Sequence, residues 1–316
     1  MYDYGNIKIS YKMAMKKIKS FAGTNVITKE LIAKSVAKKP ADVHKGSCGK
    51  LLVCAGSEGM TGAATLSVLS AMRCGCGLVT LACAKELNTI FEIKLTEAMT
   101  LPVLSEYGKI SYSAKNAIAD KLNQSTAFLL GPGLAQSPDL RRLVRELTEE
   151  STVPVVIDAD GLNALVGNKE ALKNAAMPVI ITPHIGEFAR LGGYEIEDVI
   201  KNGYRLAKSF ATDHGCTVVL KSHRTLVALP NGELYVNALG NAGMAKGGSG
   251  DVLAGAIASF LAQGCTPELA ALAGVFFHSL AADIAVQKTG EYSLVPGDII
   301  NCMMYAIKET QDEMKI

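Results

Sequence analysis

The chain has 316 residues, 49% hydrophobic and 20% charged, with a net charge of +2. That supplies apolar material for a large buried core and too little charge for a disordered chain. The balance of 32 basic against 30 acidic residues gives no global field for nucleic acid or a membrane surface, so neither is expected as a partner.

In chain order, Lys8, Lys12, Lys16, Lys17 and Lys19 crowd a short segment that reads as a solvated tail. Residues 1–24 are taken as an N-terminal extension and residues 25–316 as one domain. No signal-type apolar stretch follows the lysines, and the richest later run, Val252 to Ala262, is too short to span a bilayer, so a cytoplasmic protein is expected.

From residue 50 the pattern alternates. KLLVCAG (50–56) reads as a buried strand, AATLSVLSAMRCG (63–75) as a helix closed by glycine, and GLVTLAC (77–83) as the next strand. STAFLLGPG (125–133), VPVVIDADG (153–161), MPVIITPH (177–184) and CTVVLKS (216–222) continue the rhythm, each followed by a helical pattern. Right-handed crossovers then predict an α/β fold, a three-layer α/β/α sandwich around a mostly parallel sheet. TLVALP and ELYVNA, separated by Asn231 and Gly232, read as an edge hairpin. Two Ala-rich helical segments follow, GDVLAGAIASFLAQG and TPELAALAGVFFHSLAADIAVQKTG. The eight cysteines form no CxxC pair and mostly sit in apolar runs, as buried free thiols do.

Ligands of such sheets lie beyond the carboxyl ends of the strands. The loops there are AGSEGMTGAA, GPGL, DADGLNAL, TPHIGEF, KSHRT and NAGMAKGGSGD. In the last, Gly247, Gly248, Ser249 and Gly250 can present successive amides at a helix start, an anion hole for phosphate, although close helix packing would need the same glycines. No GxxxxGK[ST] or GxGxxG occurs, which excludes a P-loop. Asp251 is either an N-cap or a base that orients an attacking hydroxyl. Lys221, His223 and Arg224 either form a solvated turn or contact nucleotide phosphate. In TPHIGEF, either a capping turn has Thr182 or Pro183 start the helix, or His184 meets a ligand and Glu187 holds a metal or water. Asp158 and Asp160 either cap or bind Mg²⁺ through water.

Taken in order, HKGSCGKLLVCAGSEGMTGAA, GPGL, DADGLNAL, TPHIGEFARL, KSHRT and GNAGMAKGGSGDVLAG resemble the NAD(P)H-hydrate dehydratase family, carbohydrate-kinase-like repair enzymes of the ribokinase superfamily. The resemblance spans about residues 25 to 310. It implies a ribokinase-like fold and a lyase that restores NADH or NADPH from S-NADHX or S-NADPHX with ADP or ATP as co-substrate, ADP being expected here, and Mg²⁺ as the nucleotide's counterion. It implies that Ala63, Gly133, His184 and Asp251 contact the hydrate, and that Lys221, Ser222, His223, Arg224, Thr225 and Gly250 contact the adenine nucleotide. Asp251 would be the catalytic base or orienting group, and a homotetramer the expected assembly. Some relatives carry a fused epimerase domain. About 45 residues precede HKGSCGK, so epimerisation is expected from another chain or unaided. Lys246 stands where such loops also carry Thr, an added cation expected to bear on nucleotide preference. The alternatives are a small-molecule kinase of thiazole or pyridoxal type and a non-catalytic nucleotide-binding protein of the same fold.

Overall fold

A computed structural model describes residues 24–40 and 42–315, and the lysine run at 8–19 lies outside the described residues. The strands are β1 (Asn25–Val26), β2 (Lys50–Cys54), β3 (Leu78–Ala84), β4 (Met99–Val103), β5 (Ser105–Glu106), β6 (Lys109–Ile110), β7 (Ala127–Leu130), β8 (Val155–Ile157), β9 (Val179–Ile181), β10 (Thr217–Leu220), β11 (Leu226–Ala228) and β12 (Leu234–Val236). The central strands β7, β8, β9 and β10 are buried along their whole length. This is why their sequences are continuous apolar runs: helices cover both faces of a parallel sheet.

Ten strands form one sheet in the order β1-β12-β11-β10-β9-β8-β7-β2-β3-β4. The pairs from β10 through to β4 are all parallel. β11 is antiparallel to both neighbours while β1 follows β12 in parallel, so β11 alone runs against the rest. The chain winds outward from β2 to β4, then restarts on the other flank of β2 with β7 and winds outward to β10. The order therefore reverses between β2 and β7, the crevice where this class of sheet opens to ligands.

The hairpin forms as expected, Gly232 adopting φ 87° and Asn231 Oδ1 accepting from Glu233 N–H at 2.9 Å. It lies one strand inside the edge, because β1 pairs beyond it. Sequence periodicity did not reveal β1, β4, the small β5–β6 ladder or the Pro296–Met314 helix. β4 carries Pro102 and is largely solvent-facing, the composition of an edge strand rather than of a buried one.

The longest apolar helix is Pro267–Ser293, not the Val252–Ala262 run. By length and composition it could cross a membrane, yet 83% of its apolar window is buried inside the fold, which makes it a core helix. Helix Ser249–Ala262 packs on it, and helix Thr61–Arg73 runs alongside Ser249–Ala262 in the same direction as that helix. Ser67 Oγ donates to Asp251 O at 3.2 Å and Ser70 Oγ to Val252 O at 2.7 Å, and further along Ser259 Oγ donates to Ala71 O at 2.7 Å. A Cβ on Gly255 would lie 2.2 Å from Ser67 O, so only glycine lets the helices approach this closely. Both N-termini consequently arrive at the ligand edge of the sheet. The eight cysteines are free thiols, and burial pushes Cys54 and Cys216 up to about 12.

Candidate active site

At the ligand edge lies a cleft of about 740 Å³. Its floor is the turn before the Ser249–Ala262 helix. Gly248 is the N-cap, at φ 98°, ψ −19°, and supplies no side-chain cap. The backbone angle favours glycine there, and a Cβ would also press on the end of the Leu66 side chain, at 2.6 Å from its Cδ1. Asp251 stands in the first turn of the helix proper, so it is not the N-cap. Ser249 N–H turns back to Lys246 O at 3.2 Å and Val252 N–H closes the first helical bond to Gly248 O at 3.1 Å. Among the described residues the amides of Gly247, Gly248, Gly250 and Asp251 have no backbone acceptor, and the Ser249 amide, expected in the anion hole, is withdrawn.

Facing this turn is a charged cluster built by three strand ends. β8 ends at Asp158, 1% exposed, where Ala159 takes φ 51°, ψ −117°, a strained angle for a residue with a Cβ. β9 and β10 stay paired one step past their ends, Lys221 N–H donating to Pro183 O at 2.8 Å. That sets His184 and Lys221 side by side. Lys221 Nζ donates to Asp158 Oδ1 at 2.7 Å, as does Thr182 Oγ1, and Glu187 Oε2 lies 3.7 Å from the same ammonium. A Cβ on Gly250 would come 3.2 Å from Lys221 Nζ, so the absent side chain lets the ammonium reach the helix start.

The electrostatics follow from this arrangement. Burial pushes the Asp251 carboxyl up to about 7, with Asp158 adding to the rise and Lys221 opposing it. Burial alone would lower the Lys221 ammonium, but Asp158, Glu187 and Asp251 outweigh it and hold it above its ordinary value. Asp251 is thus a carboxyl poised to exchange a proton near neutrality, beside unpaired amides and a fixed cation.

His184 has two duties. Its Nδ1 accepts from Gly186 N–H at 3.0 Å and Glu187 N–H at 3.3 Å, while Glu187 Oε2 accepts from His184 N–H at 2.8 Å, a capping box. Nδ1 is therefore unprotonated, and the exposed ring still lines the cleft. The helix is thus capped by His184 itself rather than started by Thr182 or Pro183, and the ring stays accessible from the cleft.

The structure brings Asp158, His184, Lys221, Ser222, His223, Thr225, Gly247, Gly248, Ser249, Gly250 and Asp251 into the one cleft. Arg224 and Glu187 are not part of its lining, Glu187 being buried behind it. Ala63 and Gly133 lie at the switch point instead: Gly56 N–H donates to Pro132 O at 2.8 Å and Ser57 Oγ to Gly133 O at 2.8 Å. A Cβ on Gly133 would lie 3.0 Å from Ala63 Cβ. Ala63 is one turn before Ser67, whose hydroxyl donates to Asp251 O, so this second pair adjoins the Ser249–Ala262 helix.

The acids read as able to hold a metal through water, Asp158, Glu187 and Asp160, are each engaged by protein donors. Among the described residues no group of three His, Cys, Asp or Glu side chains is arranged to hold a metal. Asp158 and Glu187 converge on the Lys221 ammonium, and Asp160 accepts from Ala135 N–H at 2.9 Å. The lysine occupies the place a cation would take. Sequence reasoning took Thr182 only as the start of a capping turn, whereas its hydroxyl donates to Asp158, and it passed over Asn237, His278 and Ser279, which line the cleft. His278 sits in the apolar run FFHSLAA, where a lone polar residue was the one available signal.

Residues 51–304 match the family described as NAD(P)H-hydrate dehydratase. The chain is 39% identical to the ADP-dependent (S)-NAD(P)H-hydrate dehydratase of Neisseria meningitidis over 82% of its own length and 84% of that protein. It is 36% identical to the bifunctional NAD(P)H-hydrate repair enzyme Nnr of Moorella thermoacetica, over 88% of its own length and 53% of that protein. It thus spans about half the length of the bifunctional relatives it matches. The crystal structure of ADP/ATP-dependent NAD(P)H-hydrate dehydratase from Bacillus subtilis, co-crystallized with ATP/Mg²⁺, superposes with a TM-score of 0.79 at 29% identity, covering 91% of this chain and 99% of that one.

Proposed function

The chain belongs to the NAD(P)H-hydrate dehydratase family, and from that premise we propose that it is an ADP-dependent (S)-NAD(P)H-hydrate dehydratase. It is a hydro-lyase that returns S-NADHX and S-NADPHX to NADH and NADPH. The observation that carries the reading is Asp251, a carboxyl raised to about 7 beside the unpaired amides of Gly247, Gly248 and Gly250 and the ammonium of Lys221.

In this reading Asp251 takes the proton of the ring hydroxyl as its oxygen attacks the terminal phosphorus of ADP. The bond to the bridging oxygen breaks and AMP leaves, while the glycine amides and Lys221 meet the charge on the moving phosphoryl group. Phosphate then departs with the electrons of the carbon–oxygen bond. The neighbouring ring carbon gives up a proton and the ring double bond of NADH reforms. Mg²⁺ bound with the nucleotide would neutralise phosphate charge; among the described residues no cluster of three acidic, His or Cys side chains is arranged to hold it.

ADP as preferred donor is supported by the naming of the Neisseria relative. The bifunctional longer relatives support an epimerase acting beside this chain. Cytoplasmic location and a homotetramer complete the reading, and cell fractionation and light scattering test them. The decisive assay incubates the protein with ADP and S-NADHX and follows the NADH absorbance band. Recovery of NADH with release of AMP and phosphate is expected, and no recovery would overturn the proposal.

A further inference from the structure

One wall of the cleft carries two polar atoms that the catalytic reading leaves unused. Ser249 Oγ and His278 Nε2 are buried and, among the described residues, hydrogen-bond to nothing. The two residues are 8% and 5% exposed, yet both line the cleft. The His278 ring interacts with the Ser249 main chain, so the two orphan atoms belong to one spot. Leu253, one turn after Ser249, and Val275, one turn before His278, line the same cleft. A buried polar atom in apolar surroundings is normally paired, so a ligand group or water completes this pair.

The donors define what fits. Burial pulls the His278 imidazole down to about 4, so at neutral pH the ring is uncharged, with one donor and one acceptor nitrogen. An anionic oxygen would call for a cation here. A hydroxyl can give to or take from Nε2 in either tautomer, and it can do the same with the serine hydroxyl. Ser249 also lies between Gly248 and Gly250, whose amides are free for phosphate. The hydroxyl that reaches the notch is then carried by the ribose of the leaving AMP, one phosphate along from the terminal group that the amides meet.

We propose that Ser249 and His278 form a two-point notch for a ribose hydroxyl of the nucleotide co-substrate and set its preference for ribonucleotide over deoxyribonucleotide. The inference rests on the nucleotide reading above. Calorimetry with ADP, 2′-deoxy-ADP and 3′-deoxy-ADP tests it on the intact protein, on Ser249→Ala and on His278→Phe. The phenyl ring fills a similar volume, and Ser249→Ala is the mild change should the core variant fail to fold. The unmodified protein is expected to favour ADP over one deoxy analogue by about tenfold, the scale of one unpaired polar group. Each variant should bring that ratio near one by weakening ADP. A ratio that survives both substitutions overturns the notch alone and leaves it holding water. A protein that binds none of the three nucleotides overturns the nucleotide reading together with it.

Discussion

Lys221 Nζ donates to Asp158 Oδ1 across 2.7 Å, and the same ammonium reaches to the backbone of Gly250. One buried cation thereby joins the residue that follows β8 to the first turn of the Ser249–Ala262 helix. Lys221→Met should leave Asp158, 1% exposed, as an uncompensated buried carboxylate. A loss of about 3–5 kcal/mol in unfolding free energy is expected by denaturant titration at pH 8, with Asp158→Asn restoring part of it. Turnover should fall by about 100-fold or more, because a positive charge near the phosphoryl group is gone.

The Asp251 carboxyl, raised to about 7, predicts the acid limb of the pH profile. The base must be ionised, so turnover should decline as pH falls through about 7, and Lys221→Met should move that limb upward by removing the cation that opposes the rise. Stability has the opposite sign. The folded carboxyl lies above its ordinary 3.8, so folding carries a penalty above about pH 7 that is relieved as pH falls toward 4. Asp251→Asn should therefore lose turnover by about 100- to 10,000-fold with nucleotide binding retained. It should be more stable than the parent at pH 8, by about 2 kcal/mol after allowing for residual solvent contact, and should converge with it near pH 4. Full activity in this variant would remove Asp251 from its assigned role.

Gly133 adopts φ 63°, and a Cβ there would sit 3.0 Å from Ala63 Cβ, Met60 Cβ and Met60 O. Gly133→Ala should wedge apart the two loops of the switch point, which lie beside the catalytic cleft rather than in it. The expected outcome is a KM for the hydrate raised by about tenfold with the ADP affinity unchanged by calorimetry. A variant that weakens ADP equally would place Gly133 on the nucleotide side.

Much of this was legible before any coordinates. Parallel strands buried on both faces leave continuous apolar runs, so β2, β3 and β7 to β10 were readable, and their Gly- and Pro-rich ends marked the ligand edge. What the one-dimensional pattern could not carry was pairing. The DADG and TPH loops look like metal-binding acids and a ligand histidine, because nothing in sequence says that Lys221 fills the space between Asp158 and Glu187. Ser249 looked like one more amide donor until its N–H was seen to turn back on Lys246. His278, alone in an apolar helix, could be distinguished from a satisfied core residue only by the partner that is missing.

Lys246 illustrates the same limit and yields the last test. As a cation next to a glycine turn it reads as a phosphate ligand, yet its Nζ donates to Tyr292 O at 2.7 Å. That carbonyl lies just past Gly290, where the long core helix breaks at φ 66°, ψ 163°. A Cβ on Gly243 would meet Glu291 O at 2.7 Å, and Asp283 holds Gly240 N–H and Asn241 Nδ2, each at 2.9 Å. Lys246 is therefore one of several ties that fasten the 240–248 loop to the helix break. Lys246→Met should weaken ADP binding about three- to tenfold by loosening the amides, and Lys246→Arg should restore most of it. A phosphate-binding cation would instead make the loss shrink steeply with added salt, whereas a tether to a carbonyl leaves the ratio of variant to parent affinity nearly constant between 50 and 500 mM salt, roughly the range over which screening of exposed charges changes most. A ratio that collapses toward one at high salt would return Lys246 to the phosphate.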